Sequence, residues 1–368
     1  METPATAKPV AKPQTHDAAL AKLQTDEGAN IGVWFGCALP NDFGDPAAEY
    51  RFTNQSVALL DKNYRAYLSF TGPDRVRYLN AILTNNIKDL ATGEGAISLL
   101  LNPQGHILAE LETYALPESH FCVSYAMIRE QLIEWMDKYI IMDDVTLTDE
   151  TALYGTLALE GRKAAAVVRE ITGVDIAHLG ELSSTEGTLN RIPCRVVKRS
   201  PGNLPGAELV VARDQLGTLW QILREATRRH GGGPAGYTAL SGQRLAQGVP
   251  WFGYDFGEKQ IPHEAGLESS HISYTKGCYT GQEIVERVRS RGHVNRHRVG
   301  LLFSGDAVPE AGAALATQNG KEAGYVTRAG RIWDPERIIG MGYVQKGAEA
   351  PATALRWSGG TATVTRLP

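Results

Sequence analysis

The sequence has no long apolar run: stretches such as Ile97-Leu101 are far too short to cross a bilayer, which excludes a helical membrane protein. Cysteine is scarce. The four cysteines, Cys37, Cys122, Cys194 and Cys278, are scattered, and no two have CxxC spacing. That argues against a disulfide framework and for free thiols in a reduced, cytoplasmic protein. Charge of one sign is also missing. With 37 Lys and Arg against 41 Asp and Glu, the net charge is -4, so no general basic field draws the chain to nucleic acid or an anionic membrane.

Met1 to Thr15 has no apolar core of the kind a secretory signal needs, and no Arg of the kind a transit peptide carries. Rich in Ala, Pro, Lys and Thr, it buries too little to offset its ordering entropy. Residues 1–45 are therefore expected to be mostly disordered, with regular structure starting near Val57. His263 and His271 lack His-x3-His spacing, and no Asp or Cys completes a tetrahedral set, so no bound metal is expected. Gly93-Glu94-Gly95 precedes a strand rather than opening a helix, so it is no dinucleotide fingerprint.

At 368 residues the chain is too long for one core, and two or three domains are expected. Tyr64-Phe70 reads as a strand, and Gly72 with Pro73 opens a helix carrying Val76, Leu79, Ile82 and Leu83 on one face. Ala96-Leu101 and Ile107-Tyr114 form a hairpin around Asn102-Pro103-Gln104-Gly105, whose residue types suit a type I turn. Strand Phe121-Ser124, helix Met127-Tyr139 and strand Val145-Leu147 complete a first α+β unit. The rhythm recurs in strand Tyr154-Leu159, helix Lys163-Thr172 ending at Gly173, strands near Arg195-Val197 and Glu208-Ala212, and helix Gln215-Arg229 capped by Asp214. Helix Tyr237-Gln247 leads into the aromatic loop Trp251-Phe252-Gly253-Tyr254-Asp255-Phe256. Beyond about Arg296, short runs broken by Gly and Pro (Val299-Phe303, Glu322-Arg328, Ile338-Val344, Thr361-Arg366) fit a small barrel or sandwich.

Lys276-Gly277-Cys278-Tyr279-Thr280-Gly281-Gln282-Glu283 carries the strongest chemical signal. Thr280 and Glu283 have capping-box spacing, and Ile284, Val285 and Val288 supply the apolar face of a following helix. Cys278 then sits just ahead of a helix N-terminus, with Lys276 near it, and both features favour a thiolate. The plainer reading makes Cys278 a small buried residue and Gly277 and Gly281 ordinary turn residues.

The same segment, with Val285, Arg287 and Arg291-Gly292 behind it, resembles the signature of the YgfZ family, relatives of the glycine-cleavage T-protein. Thr71-Gly72-Pro73-Asp74-Arg75, Leu83-Thr84-Asn85 and Asn102-Pro103-Gln104-Gly105-His106-Ile107 resemble that family's first-domain pattern. Gly248-Val249-Pro250, Ile261-Pro262-His263-Glu264 and Gly324-Tyr325-Val326-Thr327 resemble its later landmarks. The resemblance implies an α+β, three-lobed cloverleaf around a central cavity that binds tetrahydrofolate or a one-carbon derivative. Its lobes are expected at 46–150, at 151–296 with interleaved segments, and at 297–368 as a β-barrel. It implies maturation or repair of iron–sulfur enzymes as the activity, those enzymes or their assembly factors as partners, and an effect on iron–sulfur-dependent tRNA modification. Cys278 is the implied functional residue, and Lys276 is taken with it as a candidate catalytic residue for its nearby charge; Gly277, Tyr279, Thr280, Gly281, Gln282, Glu283 and Arg287 complete the motif.

The T-protein relative carries an Asp-Asp pair in its hairpin, where this chain has Ala109 and Glu110. Ala109 cannot move a proton, and Glu110 is expected to face solvent or pair with a neighbour. That ranks aminomethyl transfer or demethylation behind the iron–sulfur role, with a folate-binding scaffold as a third reading. Leu240-Ser241 and Leu245-Ala246-Gln247-Gly248 also depart from the T-protein pattern, His263 stands where Gln is common, and Arg244 is the matching basic residue. Trp251 and Tyr254 offer flat faces for a pterin, or fill the core between lobes. The basic run Arg287, Arg289, Arg291, His293, Arg296, His297 and Arg298 reads as a solvated face, or as a contact for the folate glutamate tail, an acidic partner or RNA.

Overall fold

The computed structural model describes residues 17–292 and 294–368. Two antiparallel-rich sheets carry helices on their outer faces and turn their inner faces toward each other. The first sheet has five strands, in the order Gly95–Leu101, Ile107–Ala115, His120–Tyr125, Arg65–Thr71 and Thr146–Asp149. Helices Arg75–Ile82 and Arg129–Asp137 cover one face, burying Leu79, Ile82, Leu132 and Met136 against Leu68, Phe70, Leu100, Ala109 and Leu111. The side-chain period of two decides what the other face presents: Glu110, Glu112 and Tyr114 follow from the same strand.

The second sheet has six strands: Ser184–Leu189, Ile192–Lys198, Gly206–Ala212, Tyr154–Glu160, Ala58–Asp61 and the short Gly233–Pro234. Helices Ala164–Thr172 and Leu216–Arg229 pack outside it over Leu157, Leu159, Val196, Leu209 and Val211. Gly173 ends the first of these helices at φ 76°, the left-handed cap that glycine adopts without a Cβ penalty. Tyr67, Tyr114, Phe121 and Val123 of one sheet meet Leu182, Val197 and Val210 of the other.

The third lobe is a closed six-stranded barrel: Arg296–Phe303, Glu336–Gln345, Glu322–Trp333, Ala314–Ala316, Ala354–Trp357 and Gly360–Thr365. Two of its strands, 314–316 and 354–357, are too short to leave an alternation in the sequence. So the α+β class with a C-terminal barrel holds.

Three expectations fail. Residues 17–45 are not a tail: they include helix Ala18–Asp26, capped by the Asp17 carboxylate on the Leu20 amide at 2.9 Å, and a hairpin of Asn30–Trp34 with Cys37–Asp42. Few apolar residues suffice there because Leu20, Phe35, Cys37 and Leu39 are all buried. The expectation for residues 1–16 falls outside the described residues. Second, helix Leu216–Arg229 has Gln215 rather than Asp214 at its N-cap, without a side-chain bond; Ala58–Asp61, as the interleaving allowed, pairs with Tyr154–Glu160 and lies in the second sheet. Third, helix Arg75–Ile82 is capped at Asp74 rather than Gly72.

Candidate functional site: a charged cavity between the lobes

A cavity of about 550 Å³ opens where the two sheets and the loops after helix Tyr237–Ala246 converge, with Arg298 of the barrel at its edge. One side is polar and buried. Lys62 donates to Glu160 at 3.0 Å, and Arg244 reaches the other oxygen of the same carboxylate. Burial pushes the Glu160 carboxyl up, but the Arg244 guanidinium and the Lys62 ammonium outweigh it and hold it at about 2. Beside this triad, Glu112 takes Arg199 at 2.9 Å, Arg65 at 3.5 Å and the Tyr114 hydroxyl at 2.7 Å. Burial again works against ionisation, and the two guanidiniums reverse it, so Glu112 lies below the usual carboxylate range.

Two N–H groups are left over. Nη1 of Arg244 and Nε of Arg65 are buried without a hydrogen-bond partner among the described residues. An unpaired buried donor costs about 1–3 kcal/mol, and both atoms are closed off from the cavity by the groups around them.

Glu110 lies on the wall contributed by the first sheet. Its Oε2 accepts from the Tyr125 hydroxyl at 2.8 Å, and its Oε1 lies 2.9 Å from Nε2 of His271. Nδ1 of His271 is 2.7 Å from the Ser270 hydroxyl. Burial pushes the Tyr125 phenol far up, with the Glu110 carboxylate adding to it, so Tyr125 remains a donor. Glu110 therefore takes the second of its two expected placements, pairing with neighbours rather than facing open solvent, and does so on the cavity wall. Ala109, by contrast, is fully buried in the helix-covered core on the opposite face.

Trp251 lines the cavity and is clamped. Its amide donates to Asp255 at 2.9 Å, and the Arg328 guanidinium lies 4.1 Å above its ring. Arg328 in turn pairs with Asp255 at 2.6 Å, tying the barrel to this loop. Tyr254 is placed differently from expectation: its hydroxyl accepts from the Phe35 amide at 3.1 Å, and its ring packs on Trp34, Phe35 and Trp251. It lines a separate groove beside the barrel, not the central cavity.

The cysteine motif lies elsewhere, against the tip of the first-sheet hairpin. Helix Gln282–Arg291 starts at Gly281, which has φ 81° and makes no side-chain cap. The expected capping box is absent because the N-cap is Gly281, one residue past Thr280, which moves Glu283 out of the N3 position; Gly281 lies against the Asn102 carbonyl, and Glu283 pairs with Arg287 at 2.7 Å instead. Tyr279 is buried with Leu101, Ile107 and Val285 and anchors the loop. The Lys276 ammonium is spent on the carbonyls of Asn80 at 2.5 Å, Asn85 at 3.0 Å and Leu83, closing the end of helix Arg75–Ile82. Burial lowers its pKa to about 8. Lys276 is thus a clamp with its donors engaged, which corrects its expected role as a partner of the thiol. Cys278 is exposed, whereas Cys37, Cys122 and Cys194 are buried, and Cys278 does not line the cavity.

In the basic run, Arg289 stacks on Tyr274 at 4.1 Å, Arg296 pairs with Glu264 at 3.0 Å, and Arg298 donates to the Ala265 carbonyl at 2.7 Å. His293 lies outside the described residues. Much of the run's charge is therefore committed within the chain. His263, 3.2 Å from the Tyr274 hydroxyl, is also outside the cavity. No helix among the described residues is long and apolar enough to cross a membrane.

Sequence reasoning found Arg244 and Trp251 but missed Tyr64, Arg65, Tyr125, Arg199 and His271. Strand alternation was the available signal for Glu110 and Glu112; His271 has none, because it comes from a short turn of helix, Glu268–His271.

Residues 15–272 match the GCVT N-terminal domain family. The aminomethyltransferase of Streptomyces avermitilis is 26% identical over 339 residues, covering 91% of each chain. That of Moorella thermoacetica is 28% identical over 302 residues, 82% of this chain and 81% of its own. The crystal structure of glycine cleavage system aminomethyltransferase T from Bartonella henselae shares the fold, with a TM-score of 0.85 at 22% identity over 95% of this chain and 96% of that one.

Proposed function

The chain belongs to the GCVT N-terminal domain family, and from that membership we propose that it is a folate-dependent one-carbon transferase of the aminomethyltransferase type. The observation that carries the reading is the direction of Glu110. The strand that loses one carboxylate at Ala109 loses it from the hydrophobic core, and keeps a carboxylate on the cavity wall. The sequence argument against transfer chemistry rested on Ala109 and on altered folate landmarks, and the burial of Ala109 in the core weakens its first part.

The cavity's residues fit tetrahydrofolate. Trp251, Tyr64 and Tyr125 give flat apolar surface, and the cavity-lining guanidiniums of Arg244 and Arg65 suit the polar edge of a pterin. Tetrahydrofolate, when bound, supplies secondary amines that accept the one-carbon unit. Glu110 has open lone pairs to take the proton such an amine gives up, which is general-base work typically worth 10²–10⁴-fold. Tyr125 and His271 hold both its oxygens, limiting its rotation. Isothermal titration with tetrahydrofolate should show saturable binding that Arg244→Met weakens; no heat from either protein would remove the cavity assignment.

A second reading rests on one observation, the exposure of Cys278 on a loop anchored by Tyr279 and Lys276. It supports an accessory role toward iron–sulfur proteins, which the YgfZ-like motif implies. The relatives, named as aminomethyltransferases, favour the first. In a deletion strain, equal rescue of iron–sulfur enzyme activity by wild type and Cys278→Ala would take the thiol out of that role.

A further inference from the structure

Resting on the reading of Glu110 as the proton acceptor, we propose that His271 is the positioning residue that aims it through its Nε2–H.

The argument begins with hydrogen-bonding capacity. An ionised carboxylate only accepts, so the 2.9 Å contact requires a proton on Nε2 of His271. In the neutral ring Nδ1 is then an acceptor, and the neighbour at 2.7 Å is the Ser270 hydroxyl, which can donate. The carboxylate contact thus requires the Nε2–H form, which holds Oε1 of Glu110, while the Ser270 hydroxyl, with the Leu267 carbonyl also 3.4 Å away, meets the other ring nitrogen. Tyr125 holds Oε2 from the other side, at 2.8 Å. Lone pairs not used by these donors are free for an amine in the cavity.

The backbone of His271 is itself fixed. Its carbonyl accepts from the Thr84 hydroxyl at 2.6 Å, and the same hydroxyl accepts from the Leu99 amide at 2.8 Å in the first strand of the hairpin. Asn85 donates to the Ser270 carbonyl at 3.3 Å. The imidazole is therefore tied, through Thr84 and Leu99, to the hairpin that carries Glu110. Residues 84, 110, 125, 270 and 271 come from four stretches of chain, and Ser270, His271, Glu110 and Tyr125 all line the cavity.

Nitrogen-15 NMR of histidine-labelled full-length protein reads the ring directly. His271, assigned by its loss in His271→Gln, should show the Nε2–H pattern in wild type and in Ser270→Ala alike, because the Glu110 contact alone requires it. Turnover gives a second reading. With tetrahydrofolate and an aminomethylated lipoyl carrier, His271→Ala should lower kcat by about 100-fold, the size expected when a reacting group is misplaced by about 1 Å. KM for the folate should stay within about twofold. His271→Gln, which keeps an N–H at the Nε2 position, should recover most of kcat. An Nδ1–H ring in wild type, or a His271→Gln variant that folds yet is as slow as His271→Ala, would overturn the proposal. Failure of the functional reading looks different: wild type would not turn over at all, while the NMR pattern could still be read.

Discussion

Ala109 and Glu110 are adjacent in one strand and serve opposite compartments: Ala109 is sealed among Leu68, Phe70 and Leu111, and Glu110 meets Tyr125 and His271 at the cavity. Restoring the lost carboxylate with Ala109→Asp should therefore not raise transfer activity. It would bury an unpaired charge and destabilise the fold by at least about 3 kcal/mol. Urea denaturation measures the loss, and a stable, more active Ala109→Asp protein would contradict the assignment of faces.

The Lys62–Glu160–Arg244 triad gives a pH prediction. The Glu160 carboxyl is held at about 2 in the folded chain against an ordinary 4.5. Its folded pKa is depressed, so its stabilisation is complete above the unfolded value and is lost as pH falls through about 2. Glu160→Gln should cost about 3–5 kcal/mol at pH 7, because it strands two buried cations. It should also flatten the fall in stability between pH 4.5 and 2, checked by denaturant unfolding across that range. An unchanged acid limb would assign the acid sensitivity to other carboxylates.

Trp251 and Tyr254 should separate in a binding titration. Trp251→Leu removes a cavity wall and should raise the Kd for tetrahydrofolate about tenfold, the upper range for an aromatic contact. Tyr254→Phe loses a hydroxyl that only accepts from the Phe35 amide, and Kd should stay within about twofold. Equal effects would place Tyr254 in the site after all.

Lys276 and Cys278, two residues apart, should differ in stability. Lys276→Met leaves three carbonyls at the end of helix Arg75–Ile82 without their donor and should cost about 2–3 kcal/mol. Cys278→Ser changes an exposed side chain and should stay within about 0.5 kcal/mol of wild type. Thermal and urea unfolding of the two variants checks the pair.

What the sequence made legible was mostly local. The turn at Asn102–Gly105 forms as its residue types require, with the Gly105 amide on the Asn102 carbonyl at 2.9 Å. Helix Ala164–Thr172 stops at Gly173 for a similarly local reason. The capping box failed because the helix begins one residue late, at Gly281 against the hairpin, a tertiary contact that no local rule contains. The aromatic core was invisible for the same reason: Phe35, Tyr64, Tyr125, Tyr237 and Trp251 are far apart in sequence and meet only in the folded chain. Glu110 was half legible. Alternation along Ile107–Ala115 separates its face from that of Ala109, but nothing in the sequence says which face meets a ligand.

The central claim is that a cavity carboxylate, Glu110, serves folate-dependent one-carbon transfer. Ammonia release from an aminomethylated lipoyl carrier, measured with and without tetrahydrofolate, tests it most directly. Wild type should release ammonia only with the folate, and Glu110→Gln should lower the rate by about 100-fold or more while folate affinity stays within about threefold. Equal rates in wild type and Glu110→Gln, or no release by a wild type that binds tetrahydrofolate, would contradict the account.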